Sequence, residues 1–384
     1  MTSSRRARHR SRALLGFAAF GVLWGAWGAE LPAIQSHAGV DDGELGLALL
    51  CIGLGAIVAM RPTGAVVDRS RRVLPATCLL LGVTAIGPAL ATTAVGLAVA
   101  LALLGACSGA MDVAINSEAA EAESDGDPLM NLAHAAFSAC VVASSLSIGG
   151  LRELGAEPLL VLGVVGGCLV AVAVVLLWLG RGAPARRRGA AERSLLRVPR
   201  PLLVLGALAA VAYVVENAWQ SWSAVQLEAT FEAPAGVAAF GPAVFASAAV
   251  LGRSTGHLLA RRLRDRALLA LGASIGAAGT LLGALAPSTG LALVGIGIAG
   301  FGTAVCAPTL FSLAGRSARP EDRASAVSSV TTLAYLGFVV GPAAVGLAAD
   351  STSLRAALAG VALLAALLAL ASRFAPVPER VFVK

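Results

Sequence analysis

Residues 44–72 read ELGLALLCIGLGAIVAMRPTGAVVDRSRR. From Leu45 to Met60 there is no charged side chain, and Arg61, Arg69, Arg71 and Arg72 follow at once. A helix needs about 20 apolar residues to cross a hydrocarbon core of about 30 Å, and a run of this kind supplies them. Cations gathered at one end mark the cytoplasmic side of such a helix. A transmembrane barrel would instead alternate apolar and polar residues over about ten positions. Neither this run nor Leu358–Leu370 alternates.

The same pattern fills the chain. Of its 384 residues 57% are hydrophobic and 13% charged, and the mean hydropathy is +0.82. A soluble domain carries roughly 25% charged residues, so an ordinary cytosolic protein is excluded. Apolar runs bounded by Gly, Pro and charge clusters predict spans at 13–33, 44–66, 73–91, 95–119, 129–150, 158–180, 201–224, 236–260, 267–286, 290–313, 324–348 and 354–373. The fold class is therefore an all-α integral membrane protein of twelve transmembrane helices, with no room for a large soluble domain. The first run follows Arg5, Arg6, Arg8, Arg10 and Arg12 but lacks a small-residue cleavage site, so it reads as a span and not as a signal peptide. Cys51, Cys78, Cys107, Cys140, Cys168 and Cys306 each fall singly in apolar runs, without metal-ligand or redox spacing.

A net charge of +7 and a pI near 9.7 would suit a nucleic-acid partner, but the positions of the cations speak for topology and no nucleic acid is expected. With the N-terminus inside, all 29 Lys and Arg except Arg152 and Arg355 fall on the cytoplasmic side, together with both termini. The segment with Glu118, Glu121, Glu123, Asp125 and Asp127 dissents, since it has no cation. Acidic residues count little in that rule. Lys384 is the single lysine, and Ala and Gly are abundant; high-GC bacterial coding and hence the cell membrane are expected.

A repeat lies at half the chain length. Arg61, Thr63, Gly64, Arg69 and Arg72 recur 192 residues later as Arg253, Thr255, Gly256, Arg261 and Arg264, and Trp24, Trp27 and Ala29 recur 195 residues later as Trp219, Trp222 and Ala224. The predicted organisation is a basic tail over 1–12, a six-helix bundle over 13–180, a basic linker over 181–200, a second bundle over 201–374 and a tail over 375–384. Repeats of this kind place a binding site at their interface near the midplane.

These features resemble the major facilitator superfamily over essentially the whole chain. The loop after the second span is similar to that family's G-x-x-x-D-R-x-G-R motif in Gly64, Asp68, Arg69 and Arg72, with Arg71 where the family usually has its second glycine. The resemblance implies two six-helix bundles, transport by alternating access, and a loop that steadies neighbouring helices. A narrower resemblance is to bacterial transporters related to fucose-type sugar permeases. It rests on Met111-Asp112-Val113-Ala114-Ile115-Asn116, on Pro128-Leu129-Met130 with His134, Phe137 and Ser138, and on Glu216 with Trp222-Ser223-Ala224. Where that branch often has Arg, this chain has Glu30 in Trp27-Gly28-Ala29-Glu30-Leu31-Pro32.

Acids inside a span cost about 2.5–3.5 kcal/mol each unless paired, hydrated or protonated. Asp112 is the first candidate for proton coupling. By helix rise His134 lies at a similar depth on the next helix, so the two could exchange a proton, or a bond from His134 or Asn116 could simply hold Asp112 in place. Trp24, Trp27 and Glu30 share a helix face at i, i+3 and i+6, as do Glu216, Trp219 and Trp222, with Asn217 and Gln220 beside the second set. Rings beside a carboxylate and amides can form a solute pocket or be packing. Arg61 and Arg253 read as helix-end cations that snorkel to the cytoplasmic surface, and Gly337, Gly341-Pro342 and Gly346 as small-residue packing with a hinge-capable proline.

There is no phosphate-binding loop, metal cluster or nucleophile-base spacing, so no enzyme, cofactor or metal is expected and an ion or solute gradient must supply the energy. The expected protein is a monomer in the lipid bilayer whose partners are a small-molecule solute and H+. Two alternatives stay open: a proton-antiport exporter of hydrophobic or cationic compounds, and a receptor or scaffold that has lost transport. The helix 5 run Ser138–Gly150 lacks the Gly-Pro pair usual in drug antiporters of the family.

Overall fold

A computed structural model of the chain describes residues 3–67, 69–124, 129–180, 198–260, 262–319 and 322–376. Asp68, Asp125, Asp127, Pro128, Arg261, residues 181–197 of the expected linker and residues 377–384 of the expected tail lie outside them. Among the described residues all the regular secondary structure is helical, with no strand. The helices are α1 (Ser3–Ala38), α2 (Asp42–Val67), α3 (Val73–Thr84, completed by a 3-10 turn at Gly87–Leu90), α4 (Ala94–Ser124), α5 (Met130–Glu153) and α6 (Pro158–Leu179). They continue as α7 (Arg200–Phe231), α8 (Ala235–Leu259), α9 (Asp265–Leu285), α10 (Thr289–Ser317), α11 (Arg323–Ser351) and α12 (Leu354–Ala371). All twelve are long and apolar enough to cross a membrane.

Local chemistry sets several of the boundaries. Before α2, Asp41 Oδ1 accepts from the Glu44 backbone N–H at 2.7 Å and Glu44 Oε2 accepts from that of Asp41 at 3.3 Å, a reciprocal cap. Ser353 Oγ accepts from the Ala356 N–H at 3.2 Å to start α12. The helices are apolar on their outward faces too, as at Val58, Val95, Leu160, Val174 and Leu363. A soluble bundle would cover such side chains, whereas lipid solvates them.

Contacts divide the chain into one unit of Met1–Gly189 with Glu232–Ala243 and another of Ala190–Phe231 with Val244–Lys384. In the first, α1 lies on α5, α2 on α4 and α3 on α6; in the second, α7 lies on α11 and α9 on α12, while Gly252 of α8 meets the Phe301 carbonyl of α10. The two units thus repeat one set of helix pairs. The first turns of α8 belong with the first unit, where Ser145 Oγ donates to the Ala239 carbonyl at 2.9 Å.

Lipid provides no hydrophobic force between helices, so close backbone approach through small residues has to supply the attraction. A Cβ at Gly25 would collide with the Val141 carbonyl of α5, and one at Gly337 would collide with the Ala210 carbonyl of α7. Gly25→Val should therefore lower the melting temperature of the purified protein by an amount matching about 1–3 kcal/mol of overpacking. Gly163→Val, where a Cβ would meet nothing within 4 Å, should leave it unchanged in the same differential scanning measurement.

Candidate functional site

The first unit closes around an ionic cluster at the N-terminal end of α1. Arg12, 2% exposed, donates from Nε to Glu118 Oε1 at 2.9 Å, from Nη1 to the Leu176 carbonyl at 2.6 Å and from Nη2 to the Arg71 carbonyl at 3.1 Å. One side chain thereby ties α1 to α4, to α6 and to the turn between α2 and α3. His9 Nδ1 lies 3.1 Å from the same Glu118 oxygen. Arg71 grips Glu121 with both Nη atoms and stands 3.7 Å from Glu118 Oε2. Two guanidinium groups thus face two carboxylates. His9, Glu118 and Glu121 bring donor atoms within 4.8 Å of one another, but a metal ion there would have to displace arginines from both acids.

Along the same unit, the candidates on α1, α4 and α5 have separate partners. Asn116 Nδ2 donates to the carbonyl and the Oδ1 of Asp112 at 2.9 and 3.1 Å, one turn back on α4. The His134 ring stands edge-on to Phe17 at 4.8 Å. In this conformation the Asn116 amide holds Asp112 by hydrogen bonds within α4, and the His134 ring packs between α5 and α1. Above that contact Phe20 meets Phe137 at 5.8 Å and Trp24 at 6.1 Å, and Trp24 keeps part of its surface open, while Trp27 is buried. Glu30, which the sequence left near the outer surface, is fully buried, with Arg152 Nε 3.9 Å away. Arg152 also donates to the Ala29 carbonyl at 2.8 Å.

The second unit carries Glu216 midway along α7. Its Oε1 accepts from Arg253 Nη2 at 2.7 Å and from Gln220 Nε2 at 3.3 Å. Arg253, expected at a helix end, is 45% exposed and binds the carboxylate on α7 with one arm of its guanidinium. The remaining α7 candidates are engaged in packing. Proline has no N–H, so Pro342 leaves the carbonyl four residues earlier without its helical donor; that carbonyl belongs to Phe338, and Asn217 Nδ2 donates to it. Trp222 Nε1 donates to the Pro342 carbonyl at 3.2 Å, and Trp219 Nε1 to Thr280 Oγ1 at 3.0 Å. Both indoles are 0% exposed, so in this conformation they offer a solute no surface. Gln220 is exposed.

Comparison with known families matches residues 13–301, and again 222–384, to the Major Facilitator Superfamily. The chain belongs to this superfamily. It is 32% identical to an uncharacterised MFS-type transporter of Yersinia pestis over 94% of each chain. Among solved structures it is similar to the nucleoside transporter NupG, with a TM-score of 0.80 at 14% identity over 97% of this chain and 98% of that one. It is likewise similar to a bacterial homologue of the human lysosomal transporter Spinster, with a TM-score of 0.81 at 16% identity over 98% and 97%. At such identities the likeness is one of fold. The chain is a superfamily transporter of twelve helices and not an enzyme.

Of the superfamily loop motif, Asp68 lies outside the described residues, Arg69 and Arg72 are exposed, and Gly64 has open space about it. The side chain that ties the loop to α4 is Arg71, noted in the sequence only as a departure from the motif. Arg12, His9, Glu118 and Glu121 also escaped sequence reasoning. The acidic dissent at 118–127 was the available signal, for acids on a cation-rich flank need partners and the nearest were the arginines counted for topology. Removing one partner of a buried ion pair costs about 3–5 kcal/mol. Arg12→Ala should therefore lower the melting temperature sharply, and adding Glu118→Ala should cost less than the sum of the two single losses.

Proposed function

We propose that this transporter moves a small organic solute by alternating access and couples that movement to protons. Asp112 supports the reading most directly. It is an acid within a membrane span whose hydrogen bonds come from its own helix, and among the described residues no arginine or lysine lies within 4 Å of it. A proton taken up there removes a charge before the carrier reorients and lowers the barrier to that step, and it breaks no bond between helices. Glu30 and Glu216 are the further acids expected to couple protons, each beside an arginine. Trp24 and Gln220 keep surface that a solute could touch. The cation bias supports termini on the cytoplasmic side of a cell membrane, and the chain acts as a monomer.

The cation-exporter alternative loses the support it drew from α7, since Trp219 and Trp222 are buried and Glu216 already holds a guanidinium. In proteoliposomes, concentrative uptake of a solute found by thermal-shift screening should require an inward pH gradient. Asp112→Asn should abolish concentration while still exchanging solute across the membrane. Full concentrative uptake by Asp112→Asn with the gradient collapsed would refute the proton role.

A further inference from the structure

Glu216 and Arg253 are not alone on their face of the second unit. The chain has two tyrosines, and their rings meet each other where α7 packs on α11. Tyr213 precedes Glu216 by three residues, which puts it on the same side of α7. Its ring meets Phe311 of α10 at 6.1 Å and Tyr335 and Phe338 of α11 at 6.4 Å each, and Tyr335 meets Phe338 at 5.8 Å. All four rings are half-buried, with Tyr213 and Phe311 resting one side against the core of the unit and keeping the rest of their surface open. Arg253 is 45% exposed although it stands within the span of α8. A guanidinium turned to lipid at that depth would be very costly, so its open surface faces water or a solute. One Nη2 bond to Glu216 leaves the rest of its donor fork available.

We propose that this face binds an organic carboxylate with an apolar body, the carboxylate on Arg253 and the body on the rings of Tyr213, Phe311, Tyr335 and Phe338, while Glu216 takes a proton. The inference deepens the transport reading above and rests on it. Arg is suited to carboxylates by its planar donor fork, and half-exposed rings supply apolar surface at little entropic cost. Charge fixes the order of events. Empty, Arg253 and Glu216 sum to zero. A carboxylate alone would leave the site at minus one, but with a proton on Glu216 the loaded site again sums to zero. The proton comes from water to a Glu216 oxygen, the Arg253 bond to that oxygen breaks, and the guanidinium donates to the solute instead.

The charged and titratable groups about Glu216 are Arg253 from α8, the buried Cys306 thiol from α10, the Tyr213 phenol on α7 and the Tyr335 phenol from α11. From α9 the Thr280 hydroxyl turns to Trp219. Because one proton joins the site with each ionised acid, binding should strengthen as the pH falls.

The test is calorimetric titration of the full-length protein in nanodiscs with matched probes: benzoate, benzamide and benzylamine, then 3-phenylpropionate with its amide, then acetate with acetamide. Losing one partner of a hydrogen-bonded charge pair weakens binding by about thirty-fold or more, so the aromatic acids should exceed their amides by that ratio and exceed acetate. Arg253→Gln should abolish the preference. Binding of the acids should take up a proton, read from buffers of different ionisation enthalpy, and Glu216→Gln should bind without uptake. Amide or amine binding as tight as the acid in every set, or an acid preference unchanged in Arg253→Gln, would overturn the proposal. So would flux of a neutral or cationic solute driven by a pH gradient, which leaves the transport reading standing. Acid preference in a chain that moves nothing would uphold the site and defeat that reading instead.

Discussion

A charge drawn into the membrane is costly unless it is paired, hydrated or protonated, and much of this molecule is arranged around that cost. Glu118 gathers Arg12 and His9, with Arg71 close by. Glu216 gathers Arg253, and Glu30 stands beside Arg152. Each of these contacts runs between helices, so neutralising the charge also fastens the helices. The two arginines that the topology leaves outside follow the same logic. Arg152 donates to the Ala29 carbonyl, and Arg355 to those of Ala284 and Ala286 near the end of α9, where carbonyls at a helix end lack intrahelical donors.

Exposure separates the two ion pairs by what they can do. At Arg12 and Glu118 both side chains are almost wholly covered, and the guanidinium is also bound to two carbonyls, so the cluster is a fastener. At Glu216 and Arg253 the cation is nearly half open, and the half-buried Tyr213 lies one turn from the acid on the same side of α7. Breaking the first pair strands a buried charge. Breaking the second exposes a guanidinium to whatever enters with it. Close glycine contacts bring the backbones of α1 and α5, and of α7 and α11, against each other.

The spans were legible because apolar length is a local property, and the predicted limits fall within a few residues of most helices. They were short for α1 and α7, which continue as helices to Ser3 and Ala38, and to Phe231, beyond the apolar stretch that marks the bilayer. The site was less legible because its partners are remote in sequence: Arg12 and Glu118 lie 106 residues apart, and Glu216 and Arg253 lie 37 apart. Helical spacing correctly put Trp219 and Trp222 on one face with Glu216 but could not say that Thr280 and Pro342 would claim their N–H groups. Asn217 looked like a ligand until the carbonyl left bare by Pro342 was found beside it. The tyrosines passed unnoticed, for only the packing of α7, α10 and α11 brings them together.

With one proton on Glu216 balancing the ionised solute and a second on Asp112, each acid molecule enters with one net positive charge. The decisive measurement imposes a pH gradient and a membrane potential separately on proteoliposomes containing the protein and an organic acid that it binds. Uptake that follows the pH gradient and is strengthened by an inside-negative potential is the predicted result. Uptake indifferent to the potential would contradict the account, because it would mean that one of the two carboxyls carries no proton across.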